Sequence, residues 1–114
     1  MIVNGIPISQ IRLIIEYKSY PMWLCDEDGF LVSEDIVDEL KDDTWLRREL
    51  DEIQQIYNSL FIDTKIEFSY VGFSTKEEEQ NYLLRLQNVS RYVMEHLKGK
   101  YAIRDSFPDR DYFS

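Results

Sequence analysis

Leu46, Leu50, Ile53, Tyr57 and Leu60 recur at spacings of four, three, four and three residues. At 3.6 residues per turn these five side chains fall on one side of a helix. A one-sided apolar stripe has to be covered, so this feature demands a second layer of structure. Asp43-Thr44 just ahead of the stripe supplies the cap. Tyr82, Leu86, Val89, Val93 and Leu97 form a second stripe, predicting a long helix that Gly99 stops. Ser74-Thr75-Lys76-Glu77 matches the capping-box pattern ahead of it, because Ser74 and Glu77 can each satisfy the other's exposed backbone donor.

The covering layer is predicted from the N-terminal third. Ile11 to Lys18 alternates, with Ile11, Leu13, Ile15 and Tyr17 on one side, which predicts a half-buried strand, or a short helix starting at Ser9. Pro21 lacks the ladder donor and marks a bend or the start of the next strand. Met22 to Cys25 and Phe30 to Val32 flank Asp26-Glu27-Asp28-Gly29, and Asp-Gly between two apolar runs is a hairpin signal. Ser33 is placed to cap a helix through Asp42, with Ile36, Val37 and Leu40 inward and Asp35, Asp38, Glu39 and Asp42 outward. A break at Ile62 to Thr64 precedes an alternating run from Lys65 to Phe73, read as a central strand, and Tyr101 to Arg104 reads as a last short strand. The fold class is therefore α+β: one domain over residues 1–106, with a small, mostly antiparallel sheet of four to five strands and two to three helices packed on one face. Residues 107–114 read as a loose terminal tail, with docking of Phe107, Tyr112 and Phe113 on the body as the alternative.

At 114 residues the chain suits one domain, and its 44% hydrophobic content argues against disorder. Its net charge of −9 is concentrated: Asp26 to Asp63 holds thirteen acids against three bases. That field repels nucleic acid and anionic membrane and attracts basic partners, so neither a nucleic-acid nor a membrane partner is expected. The longest apolar runs are far below the ~20 residues that span a bilayer, and no basic residue precedes the first apolar stretch, so a cytoplasmic protein is expected.

Chemistry is sparse. Cys25 is the single cysteine, which excludes an intramolecular disulfide and a cysteine metal cluster; it reads as a small buried hydrophobe. A calcium loop centred on Gly29 would use Asp26, Asp28 and Asp35, but Leu24 stands at its first position and no Glu at its last. Such a site needs ~6–8 oxygen ligands, so an acidic hairpin turn is the better reading and no metal is expected. His96, the one histidine, lies near a helix C-terminus without a flanking catalytic pattern. No phosphate-cradling glycine motif occurs among four glycines. Neither an enzyme nor a cofactor is expected. The remaining candidate is a partner-binding surface: Asp26, Glu27, Asp28, Asp35, Asp38, Glu39, Asp42 and Asp43, with Trp45 beside them as anchor or as core. The competing reading of these acids is a solvated face.

Two stretches, SYPMWLCDEDGFLVSEDI and IQQIYNSLFIDTKIEFSYVGFSTKEEE, carry a resemblance. Tyr20-Pro21, Trp23-Leu24, Asp28-Gly29, and Tyr57 through Phe61-Ile62-Asp63 to Phe68 and Gly72-Phe73 resemble small acidic immunity proteins encoded beside bacterial polymorphic toxins. The resemblance covers about half the chain. It implies a cytosolic binding protein that neutralises a cognate toxin domain, often a nuclease, by covering its active site or another required surface. It implies no catalytic residue. A different class, a cytosolic adaptor or assembly domain acting through an exposed strand or the aromatic tail, is the alternative.

Overall fold

The computed structural model describes residues 1–109 of the chain. Their elements run β1 (Ile2–Val3), β2 (Ile6–Pro7), β3 (Gln10–Leu13), β4 (Met22–Cys25), β5 (Leu31–Glu34), α1 (Thr44–Asn58), β6 (Phe61–Asp63), β7 (Phe68–Tyr70), α2 (Lys76–Leu97) and β8 (Ala102–Asp105). The fold is α+β. Its main sheet has the order β5-β4-β3-β8, while β1-β2 and β6-β7 form separate two-stranded pairs. Within the main sheet β4 is antiparallel to both neighbours, and only β8 runs parallel to β3.

Strand alternation sorts the main sheet into two faces. Ile11 and Leu13 of β3, with Met22 and Leu24 of β4, are fully buried. They share one core cluster with Leu46, Leu50 and Ile53 of α1 and with Leu86, Val89 and Val93 of α2. Both predicted helix stripes are therefore the buried stripes. Between them, Tyr82 Oη donates to the Ile53 carbonyl at 2.8 Å. Arg12 and Trp23 pair on the opposite face, with the guanidinium 5.6 Å from the indole centre.

Four local expectations change. β3 ends at Leu13, because Ile14 and Ile15 are both buried and the alternation stops there. The chain then turns at Lys18, whose φ is +53° and whose N–H donates to Asn58 Oδ1. The helix expected from Ser33 to Asp42 is absent. Ser33 lies in β5 opposite Leu24, and only Asp38–Leu40 forms a single 3-10 turn. Asp35 explains part of this: its N–H donates to the Met22 carbonyl and its carboxylate accepts from the Ile36 N–H, offering the backbone a competing partner. Ile36, Val37 and Leu40 are nevertheless buried.

The run Lys65 to Phe73 is no central strand. Thr64 Oγ1 accepts the N–H groups of Ile66 and Glu67, closing a turn that folds β7 back on β6 and away from the main sheet. The cap of α2 sits one residue later than expected, on Thr75, whose hydroxyl accepts from the Glu78 N–H. Gly99 follows the helix at φ +80°, a conformation that glycine adopts without strain. Phe107 packs against the core and Pro108 is buried, whereas Tyr112 and Phe113 lie outside the described residues.

Candidate partner-binding surface

The acids of the Asp26–Asp28 turn are positioned by their own backbone. Asp26 Oδ1 accepts from the N–H groups of Asp28 and Phe30 at 2.9 and 3.0 Å, and Gly29 supplies the positive φ of +85°. That arrangement fixes Asp26 as a turn-former and leaves Glu27 and Asp28 exposed. Gln10 holds the turn from the sheet side, donating to the Glu27 carbonyl at 3.0 Å. A side chain at Gly29 would also approach Arg104 Nη1 to 3.2 Å, so the turn fits closely against β8's arginine. The described residues contain no group of three or more His, Cys, Asp or Glu placed to hold a metal ion.

The other acids divide by location. Asp35 leaves β5 beside Met22, at the sheet end opposite the Asp26–Asp28 turn. Asp38 and Glu39 lie on the 3-10 turn, and Glu39 accepts from Tyr101 Oη at 3.0 Å. Burial, with Glu39 beside it, pushes the Tyr101 phenol up to about 12. Because Ala102 pairs with Gln10, Tyr101 and its carboxylate partner belong to the same end of the sheet as the Asp26–Asp28 turn. The Asp26–Asp28 turn thus stands at one end of the sheet and Asp35 at the other, while Glu39 is tied to Tyr101 through its hydroxyl. Asp42 is exposed just before α1.

Asp43 and Trp45 serve the fold. Asp43 caps α1, accepting from the Leu46 N–H at 2.9 Å, and also accepts from Tyr92 Oη. Burial works to raise its carboxyl, but those two hydrogen bonds and the neighbouring His96 outweigh it and hold the group below the usual carboxylate range. Trp45 is half-buried with its ring centre 4.7 Å from that of Tyr92, and Tyr92 stacks on His96 at 3.9 Å. Trp45 packs on Tyr92 of α2 and against the core, which favours the core reading of the two that the sequence leaves open.

The decisive electrostatic feature is what these acids do not do. The ion pairs of the described residues join Lys18 to Asp63, Lys76 to Glu79, and Arg85 to Glu49 and Glu52. None involves a carboxylate between Asp26 and Asp43. Lys41 is the one cation within that stretch of sequence, and a charge run so little offset projects its field outward.

A second exposed feature escaped the sequence reading. Ile66 is 97% exposed at the tip of the β6–β7 hairpin, with Phe68 at 59%, Val71 at 54% and Tyr70 at 50%. The hairpin is held from below by Tyr17, whose ring centre lies 4.6 Å from Phe61 and 5.1 Å from Phe68. The available signal was an incomplete polar face: after Lys65, Glu67 and Ser69, Val71 and Phe73 interrupt the side opposite Ile66, Phe68 and Tyr70. No helix among the described residues is long and apolar enough to cross a membrane. No protein-family model matches the chain, and no curated protein matches it.

Proposed function

We propose that the chain is an immunity-type inhibitor that binds a basic toxin domain, of the nuclease kind, through the carboxylates at the Gln10 end of its sheet. The observation that carries the reading is the set of carboxylates from Asp26 to Asp43 with no ion pair among the described residues, in the segment that holds the chain's charge imbalance. A nuclease domain holds a polyanion and so presents basic surface, and an acidic partner meets it with fast, salt-sensitive association. The contacting residues on this reading are Glu27, Asp28, Asp38, Glu39 and Asp42, with Asp26 shaping the turn. Asp43 and Trp45 support the surface from α1, and Asp35 sits apart from it.

The test is growth and binding with the C-terminal domain encoded by the adjacent upstream reading frame. Co-expression of this chain should restore growth that the toxin domain arrests. Asp38→Lys, Glu39→Lys and Asp42→Lys together should slow association at least tenfold at low salt while the chain stays folded. Failure to restore growth overturns the immunity reading. Unchanged association at low salt overturns the acidic-surface part alone.

A further inference from the structure

Between the end of α1 and the start of α2 lies a cleft of about 390 Å³, within the range of sites that take ligands or anchor side chains. Ile56, Leu60, Phe73 and Tyr82 form its apolar wall, and Glu78 and Asn81 stand at its rim. Arg85 enters from one side, already held by Glu49 at 2.6 Å and by Glu52. An incoming carboxylate would have to displace these partners, so the cleft discriminates against anions. Three carboxylates, Glu78 in the lining and Glu49 and Glu52 on Arg85, stand against Arg85, the one cation of the lining, which is already engaged. An apolar group with positive charge beside it suits this setting.

The surroundings also decide the size of the occupant. Leu60, in the cleft wall, accepts through its carbonyl from the N–H groups of Val71 and Gly72, so the hairpin begins at the cleft's edge. The Tyr70 ring lies over Gly72, within 3.6 Å of where a Cβ would stand. Exposed Val71 and Tyr70 therefore continue the apolar wall outward toward Phe68 and Ile66. A small molecule filling the cleft would leave that strip in water, whereas a protein surface covers both. We infer that this cleft receives a large apolar side chain from a basic partner protein, with the β6–β7 hairpin as its flank. The site shares no residue with the acidic surface proposed above and stands without it.

The test is an amide chemical-shift titration of the full chain with two capped tripeptides, Lys-Trp-Lys and Glu-Trp-Glu. Lys-Trp-Lys should shift Leu60, Gly72, Phe73 and Tyr82 and bind several-fold tighter than Glu-Trp-Glu. Asn81→Trp, which fills the cleft from an exposed position, should abolish those shifts. Glu78→Lys, also exposed, should weaken binding several-fold while the chain stays folded at the titration temperature. Shifts that are absent or lie elsewhere, equal binding of the two peptides, or undiminished binding to Glu78→Lys would each overturn the inference. None of these outcomes bears on growth rescue, so the immunity reading stands or falls separately.

Discussion

Asp43 belongs to the acidic run yet is built into the fold, and removing it separates the two roles. Asp43→Ala deletes the N-cap acceptor of α1 and the acceptor of the Tyr92 hydroxyl. Loss of a side-chain cap costs about 1 kcal/mol, within a range of roughly 0.5–2. The tyrosine bond, made to a charged acceptor but part-buried, adds about 1 kcal/mol. A total of about 2 kcal/mol corresponds to a fall of about 8 °C in Tm for a domain of this size. Asp43→Asn keeps an oxygen acceptor, and asparagine caps nearly as well as aspartate, so it should cost about 1 kcal/mol or less. The folded-state pKa of Asp43 is depressed, so its contribution is present above the unfolded value of about 4 and is lost as pH falls through the folded one. Urea denaturation at pH 7 and at stepped acidic pH measures this directly. Wild type and Asp43→Ala should converge toward acid, and the Asp43→Asn curve should lack the corresponding slope. The capping argument fails if Asp43→Ala matches wild type at pH 7, or if the alanine and asparagine variants are equally destabilised. The result also dictates that charge reversal of the acidic surface omit Asp43, since a weakened complex would otherwise report on a weakened fold.

Leu50→Ala, in the centre of the α1 stripe and fully buried, should cost about 3 kcal/mol in urea denaturation by opening a cavity between the helices and the sheet. Arg85→Met removes the guanidinium shared by Glu49 and Glu52; it should cost about 1 kcal/mol at low salt, and the difference should shrink as salt rises. Ile66→Asp, at the exposed hairpin tip, should leave stability within about 0.5 kcal/mol of wild type by the same assay. Ultraviolet titration of the phenols should show Tyr20 and Tyr101 ionising at about 12, both chiefly because of burial, with Tyr82 higher still. Raised tyrosine pKa values stabilise the fold below about 10, so the urea midpoint should decline as pH climbs from there through 12.

The long-period features of the sequence translated well. Each helix stripe sums over four or more turns, and every member of both stripes faces the core. Short-range signals fared worse, since each had a nearby competitor. Ser33 looks like a cap, but the backbone of its segment finds a better partner in β4. Thr75 takes the place of Ser74 at α2 because both hydroxyls can cap and the helix can begin at either. Trp45 reads equally as anchor or core and Asp43 as both cap and surface acid, and the sequence does not decide between these roles. Their partner, Tyr92, lies on the other helix, and no local pattern announces that contact. Glu39 meets the Tyr101 hydroxyl across 62 residues of sequence, a contact that likewise leaves no local pattern.

Lys65 to Phe73 shows where a failed reading is most informative. Alternating aromatics ordinarily mark a strand half-buried against a core. Here the packing beneath the hairpin engages Phe61, Tyr17, one side of Phe68 and the edge of Tyr70, and leaves Ile66 and Val71 largely in water. The monomer gains little from those apolar groups, since the hairpin turn is held by Thr64 and would form equally with polar residues at the tip. Scattered exposed apolar residues need no explanation, but a contiguous strip beginning at the rim of an apolar cleft is a different case. A local pattern at odds with its burial is the expected mark of a surface shaped by something other than folding. Exposed apolar surface costs free energy in water whereas exposed charge does not, so this strip is the sharper test of whether a partner covers the chain.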